Sequence, residues 1–178
     1  MEKINFDQIK ALVRNIPDFP VKGVQFKDLT TVFKNPDALN HIADSLEHIY
    51  RDRGVTKVAG IESRGFIGGS LMAARLGAGF VPIRKPGKLP AEIVSMTYEK
   101  EYGTDTIEMH RDAITSDDVV VLHDDLLATG GTMLAAYNMV KMMNPRKIYI
   151  NFLCALNFLN GRSILPDDVE VTTLFDFD

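Results

Sequence analysis

Cysteine occurs once in the 178 residues, so no disulfide can close within the chain. Cys154 lies in the apolar run 148–156, which predicts a buried structural thiol and not a reactive one. Histidine is sparse. His41 and His48 stand opposite the apolar stripe of their predicted helix, which predicts solvent exposure, and no further ligands follow at the close spacing zinc requires. No stretch approaches the ~20 apolar residues of a membrane span. Met1-Glu2-Lys3-Ile4-Asn5 carries charge without an apolar core, so no signal peptide is expected. A net charge of −4 implies no broad basic face, which excludes nonspecific nucleic-acid binding. Two nucleotide signatures are also missing. No Lys follows Gly130-Gly131 as a Walker loop demands, and no Gly-x-Gly-x-x-Gly opens the first βα unit. These absences leave a soluble, cytoplasmic protein as the expectation.

What is present is ordinary in amount and informative in order. Hydrophobic residues make up 46% and charged residues 25%, as in a globular domain, and the length suits one domain spanning 1–178. Ile9, Leu12, Val13 and Ile16 recur at helical spacing and predict a helix that Pro17 ends. A loop over 18–32 follows. Asn35-Pro36 reads as a helix cap and first turn, with Leu39, Ile42, Leu46 and Ile49 on one face. From Lys57 the pattern alternates: strand 58–61, helix 66–76 and strand 80–83. Next come strands 93–98 and 104–109 around a hairpin or mobile flap, strand 119–122, a helix from Thr132 to about Met143, and strands 147–155 and 169–175 joined by a short helix. Met133, Met139, Met142 and Met143 read as core filler on the long helix. Such alternation predicts an α/β fold with a central parallel sheet flanked by helices. There are no repeats, low-complexity tracts or linkers.

The segment 119–131 is the most telling. Four apolar residues form a buried parallel strand, then Asp124 and Asp125 stand at its C-terminal end, before a glycine turn and a helix. Ligands of open α/β sheets bind off the carboxyl ends of strands. The turn Ala128, Thr129, Gly130, Gly131 and Thr132 offers backbone N–H groups at a helix N-terminus, a seat for a phosphate. The two acids can accept hydrogen bonds from neighbouring ribose hydroxyls. Two more loops leave strand ends. Glu62-Ser63-Arg64-Gly65-Phe66 places a guanidinium near a helix N-terminus, suited to a diphosphate. Ile83-Arg84-Lys85-Pro86-Gly87-Lys88-Leu89-Pro90 is basic, with Arg84 and Lys88 as diphosphate partners.

Asp124-Asp125-Leu126-Leu127-Ala128-Thr129-Gly130-Gly131-Thr132 resembles the phosphoribosyl-diphosphate motif of the type I phosphoribosyltransferases, in the form carried by adenine-using members. The basic loop and the strings Pro17-Asp18-Phe19-Pro20 and Gly23-Val24-Gln25-Phe26-Lys27-Asp28-Leu29-Thr30 extend the resemblance over most of the chain. It implies a small N-terminal hood, about 1–34, that closes over the base, with Phe26 stacking on a purine and backbone groups of Gln25 and Lys27 reading its edge. It implies that Tyr98-Glu99-Lys100-Glu101-Tyr102-Gly103 is a flexible catalytic loop in which Glu101 manages the base proton beside Tyr102. It further implies a cis peptide before Ser63, Mg²⁺ held mainly by substrate and water, and a homodimer. The expected reaction joins adenine to phosphoribosyl diphosphate, giving AMP and pyrophosphate.

Departures from the family pattern are Gln25 for an apolar residue, Lys27 for Arg, His123 for Val or Ile, and Ala155 for Glu. His123 is expected to tuck beside the sheet edge. Lys27 keeps a 6-oxopurine open as the base. A purine-operon regulator of the same fold is the alternative outside catalysis, but it needs a basic extension for which 178 residues leave no room.

Overall fold

The structure is a computed structural model and describes residues 4–99 and 103–178, so Glu101 and Tyr102 lie outside the described residues. The elements run α1 (Phe6–Leu12), β1 (Arg14–Pro17), β2 (Gln25–Asp28), α2 (Thr30–Phe33), α3 (Pro36–Tyr50), β3 (Lys57–Ile61), α4 (Gly65–Leu76), β4 (Gly79–Ile83), β5 (Ile93–Glu99), β6 (Thr104–His110), β7 (Val119–Leu127), α5 (Gly131–Lys141), β8 (Lys147–Leu156) and β9 (Glu170–Phe177), with two 3-10 turns, Asn157–Leu159 and Gly161–Ile164, before β9.

Five strands form one parallel sheet in the order β4-β3-β7-β8-β9. The chain steps outward from β3 to β4, then returns to the other side of β3 to lay down β7. That reversal makes the β3–β7 boundary a topological switch point, where a crevice opens beyond the strand ends. β1–β2 and β5–β6 are separate antiparallel ribbons.

Each face of the sheet carries its own core. On one side Ile42 and Leu46 of α3 and Met72 of α4 meet Val58, Val121 and Leu153. On the other, Met133, Ala136, Met139 and Val140 of α5, with Ile107 and Met109 of β6, meet Val120, Leu122, Ile150 and Phe152. Each such side chain contributes roughly 1.5–3 kcal/mol by leaving water. α3 begins as its sequence requires, with the Asn35 side chain accepting from Ala38 N at 3.0 Å and Pro36 in the first turn. α1 starts on a reciprocal Asn5–Gln8 capping box.

Four expectations from the sequence are corrected. The first helix stops at Leu12, not Pro17, and β1 and β2 occupy what periodicity assigned to helix and loop. The cause is a cross-strand match: Arg14 Nη2 meets Asp28 Oδ2 at 2.5 Å and Asn15 donates to Gln25 at 2.7 Å, which outweighs a weak local helix preference. β7 continues to Leu127, so both acids lie within the strand, because β8 keeps pairing with it as far as Ala155. His41 is half-buried, edge-on to Phe6 at 4.8 Å. Met142, past the end of α5, is 62% exposed and fills no core. Cys154 is buried as expected, its thiol pushed up by loss of water.

α4 rides close on β7. A Cβ on Gly68 would overlap the His123 imidazole, and one on Gly69 would reach the Phe80 ring at 2.9 Å. Gly68→Ala is therefore expected to destabilise the fold by about 1–3 kcal/mol. A chemical denaturation series on the purified variant reads this directly; an unchanged midpoint would refute the close approach.

Candidate active site

β7 delivers its acids to the crevice beside the end of β3. The peptide Glu62-Ser63 that follows β3 is cis, as the resemblance implies, and Arg64, next in this loop, faces β7. Arg64 Nε lies 2.5 Å from Asp125 Oδ2. The contact is one of charge, since that oxygen accepts no well-directed hydrogen bond among the described residues. The same guanidinium stands 5.3 Å from the Phe26 ring centre, and Phe26 packs edge-on to Phe19 at 5.1 Å. The N-terminal ribbon, the loop after β3 and the acid strand thus converge on one spot.

Burial governs the acids. Asp125 is 3% exposed, and loss of water raises its pKa against the pull of Arg64. Asp124 is raised well above the usual carboxylate range by burial first and the neighbouring charge of Asp125 second. Its Oδ1 accepts from Asp125 N at 2.8 Å.

The glycine turn sits where the sequence places it. Gly130, at φ 85°, occupies a conformation L side chains rarely adopt, and α5 starts at Gly131 with no side-chain cap. The first amides of α5 are thus left for a ligand. Behind the turn stands Gly161: a Cβ on Gly130 would lie 2.5 Å from its carbonyl oxygen. Sequence reading assigned 157–161 no part in the site, though the turn-forming Asn160-Gly161 pair marked it.

The basic loop is held by acids that sequence reading did not single out. Arg84 meets Glu62 through Nε (3.1 Å) and Nη2 (3.4 Å), and Glu62 also accepts from Lys85 N at 2.9 Å. The Lys85 amide foremost, then the Arg84 guanidinium, holds the Glu62 carboxyl below its ordinary range. Glu108 accepts from Gly87 N at 3.0 Å, while its backbone pairs with Arg84. Lys85 forms an ion pair with Asp105. Lys88 is exposed and makes no hydrogen bond among the described residues. A lone acid in the apolar string Ile107-Glu108-Met109 was the available signal for Glu108.

Of the base-loop residues, Phe26 faces the acid crevice and Lys27 does not. They alternate along β2, so their side chains point to opposite sides of the ribbon, and Lys27 Nζ sits 4.8 Å over the Phe177 ring. Gln25 is exposed and bonded to Asn15.

His123 is fully buried within the sheet and not at its edge. Its Nδ1 meets Asn151 Oδ1 at 2.8 Å, Asn151 Nδ2 donates to Thr172 Oγ1 at 2.8 Å, and Tyr50 Oη meets the same hydroxyl at 2.7 Å. The Asn151 carbonyl oxygen fixes the proton on Nδ1, leaving Nε2 unpaired against α4. This line pins β7, β8 and β9 together immediately before the acids.

A parallel sheet whose switch point carries an acid pair beside an uncapped glycine turn defines an α/β protein with a ligand crevice at its strand ends. The phosphoribosyl transferase domain family matches residues 28–177, and the chain belongs to that family. It is 60% identical to an adenine phosphoribosyltransferase of Phocaeicola vulgatus over 168 residues, which are 94% of this chain and 97% of the relative. A crystal structure of adenine phosphoribosyltransferase from Rhodothermus marinus superposes with a TM-score of 0.91 at 46% identity, covering 96% of this chain and 97% of that one. The Giardia lamblia enzyme complexed with 9-deazaadenine gives 0.93 at 40% identity, covering 98% and 99%.

Burial lowers the His123 pKa from 6.5 to about 4, with Asn151 opposing. A pKa depressed on folding gives stability that is complete above 6.5 and lost as pH falls toward 4, on the order of 3 kcal/mol in all. Asp124 and Asp125, raised on folding, act in the opposite sense, so the wild type minus His123→Val difference isolates the imidazole. Between pH 7 and 4 the wild-type denaturation midpoint is expected to fall relative to that of His123→Val; parallel curves would refute a buried neutral His123.

Proposed function

We propose that this chain transfers the 5-phosphoribosyl group from phosphoribosyl diphosphate to adenine, giving AMP and pyrophosphate. The observation that carries the reading is the convergence at the switch point of an acid pair, a glycine turn opening α5 and an aromatic ring under Arg64.

The amides of 128–132, with the hydroxyls of Thr129 and Thr132, hold the 5′-phosphate. Asp124 and Asp125 accept from the ribose hydroxyls or from ordered water around them. Arg64, Arg84 and Lys88 grip the diphosphate, Arg64 by leaving Asp125 and Arg84 by sharing itself with Glu62. Adenine stacks on Phe26. Its edge pairs with the side of β2 that faces away from β1, where alternate backbone groups of a two-stranded ribbon point outward. The adenine ring nitrogen attacks C1′, the C1′–oxygen bond breaks, and its electron pair leaves with pyrophosphate. Glu101 receives the proton adenine loses, and the loop around Tyr102 keeps water from the cationic sugar. Mg²⁺, when bound, neutralises diphosphate charge. The acids near the crevice fit a role outside its direct ligand set, since Glu62 and Asp105 already hold Arg84 and Lys85 while Asp124 can order its waters.

An oxopurine substrate would call on a cation near the base, and Lys27 is engaged with Phe177 instead. A homodimer in the cytoplasm completes the proposal. Among the described residues no helix is long and apolar enough to cross a membrane.

Pyrophosphate release from phosphoribosyl diphosphate and Mg²⁺, with adenine, guanine, hypoxanthine or no base in parallel, is expected with adenine alone. Release with an oxopurine would move the base assignment, and silence with tight sugar-diphosphate binding would favour a sensor. Glu101→Ala is expected to lower turnover by about 10²–10⁴ while changing sugar-diphosphate affinity little. Equal turnover would remove Glu101 from the chemistry.

A further inference from the structure

A line of hydrogen bonds joins the phosphate turn to the basic loop through the β5–β6 hairpin. Tyr98 and Asp105 are directly opposed cross-strand partners. The Tyr98 hydroxyl lies 2.8 Å from Thr132 Oγ1, in the first turn of α5, and 3.3 Å from Asp105 Oδ2. That same Oδ2 takes the Lys85 ammonium. The Tyr98 ring sits over Gly131, where a Cβ would lie 3.8 Å from it. One phenol therefore touches the turn that opens α5, and the acid it bonds holds a cation of the basic loop.

We propose that Tyr98 and Asp105 are a positioning pair that makes occupancy of the phosphate turn and of the basic loop oppose each other. The inference rests on the reading of 128–132 as the phosphate seat and of the basic loop as the diphosphate seat.

A carboxylate has no proton to give, so in the free protein Tyr98 donates to Asp105 and accepts from the Thr132 hydroxyl. A phosphate dianion at the turn is a stronger acceptor and draws the Thr132 hydroxyl to itself. The Thr132 oxygen then presents a lone pair to Tyr98, and the phenol proton turns to this nearer acceptor. Asp105 loses a donor and holds Lys85 more tightly, so pyrophosphate must compete with a stronger ion pair. The converse holds by linkage: an anion that draws Lys85 away makes Asp105 Oδ2 a stronger acceptor for the Tyr98 phenol and keeps Thr132 turned from the phosphate. While phosphoribosyl diphosphate is intact, its two ends are tethered and this penalty comes out of its total binding energy. Once the C1′–oxygen bond breaks, the same penalty expels pyrophosphate from the AMP complex.

The test is calorimetric titration of magnesium pyrophosphate into the full chain, with and without saturating AMP. Wild type is expected to bind pyrophosphate more weakly when AMP is present. Tyr98→Phe removes the donor permanently, so without AMP it should already bind pyrophosphate weakly. Asp105→Asn releases Lys85, so without AMP it should bind pyrophosphate more tightly than wild type. In both variants the AMP-dependent factor should shrink by about threefold or more. Opposite shifts in the two variants are not what loss of folding would give. An AMP-dependent factor equal to wild type in Tyr98→Phe overturns the inference. Thr132→Val separates the two levels. If it weakens AMP while the Tyr98→Phe factor is unchanged, the proton link alone fails; if AMP affinity does not change, the reading of the turn fails and the link with it.

Discussion

Everything around the crevice answers to one constraint: two neighbouring carboxylates, Asp125 buried and Asp124 half-buried, share the end of a central strand. Loss of water raises both carboxyls, the charge of Asp125 raises Asp124 further, and the Arg64 guanidinium pulls Asp125 back. Arg64 supplies the opposite charge to Asp125, which requires the loop after β3 to turn sharply toward β7. The helix that loop begins must then lie close on the strand, which is why α4 presents Gly65 and Gly68 to it. A Cβ on Gly65 would meet the His123 carbonyl oxygen at 2.9 Å. Charge compensation at the acids and glycine packing along α4 are one requirement seen at two places.

The second layer of the site is also carboxylate. Glu62 and Glu108 each take a backbone amide of the basic loop, and Asp105 takes its Lys85 side chain. An acid that bonds main-chain N–H groups shapes a loop more firmly than one that pairs with a mobile ammonium, because the donor has no rotamers to lose. The loop can therefore carry exposed cations such as Lys88 without being shapeless.

Legibility followed range. The acid strand, the glycine turn, the Arg64 loop and the basic loop each announce themselves within ten residues, since strand-end and helix-start chemistry is local. The alternation that predicts a parallel sheet is local as well. What stayed hidden depends on partners far along the chain. Arg14 and Asp28 convert a helical period into a strand only once they meet. His123 reads as an oddity until Asn151 and Thr172 are placed beside it, 28 and 49 positions downstream. Gly161 backs the phosphate turn, and nothing near residue 130 hints at it.

A chain with net charge −4 that takes a highly anionic sugar does so through cations already held in ion pairs. Three of the four cations assembled here already have acid partners: Arg64 with Asp125, Arg84 with Glu62 and Lys85 with Asp105. Under the proposed function, binding a diphosphate here is an exchange of anions and not a capture by free positive charge. An exchange gains only the difference between two attractions, which tempers affinity. Each displaced carboxylate also needs donors: under the proposed function the ribose hydroxyls would be new ones for Asp125, whereas Asp105 falls back on partners it already has, the Thr106 amide among them. A bare diphosphate offers no hydroxyls to Asp125, whereas the full sugar diphosphate does. On that reading the resting ion pair of Asp125 selects for the whole substrate over its anionic part, through the cost of leaving a buried carboxylate unpaired.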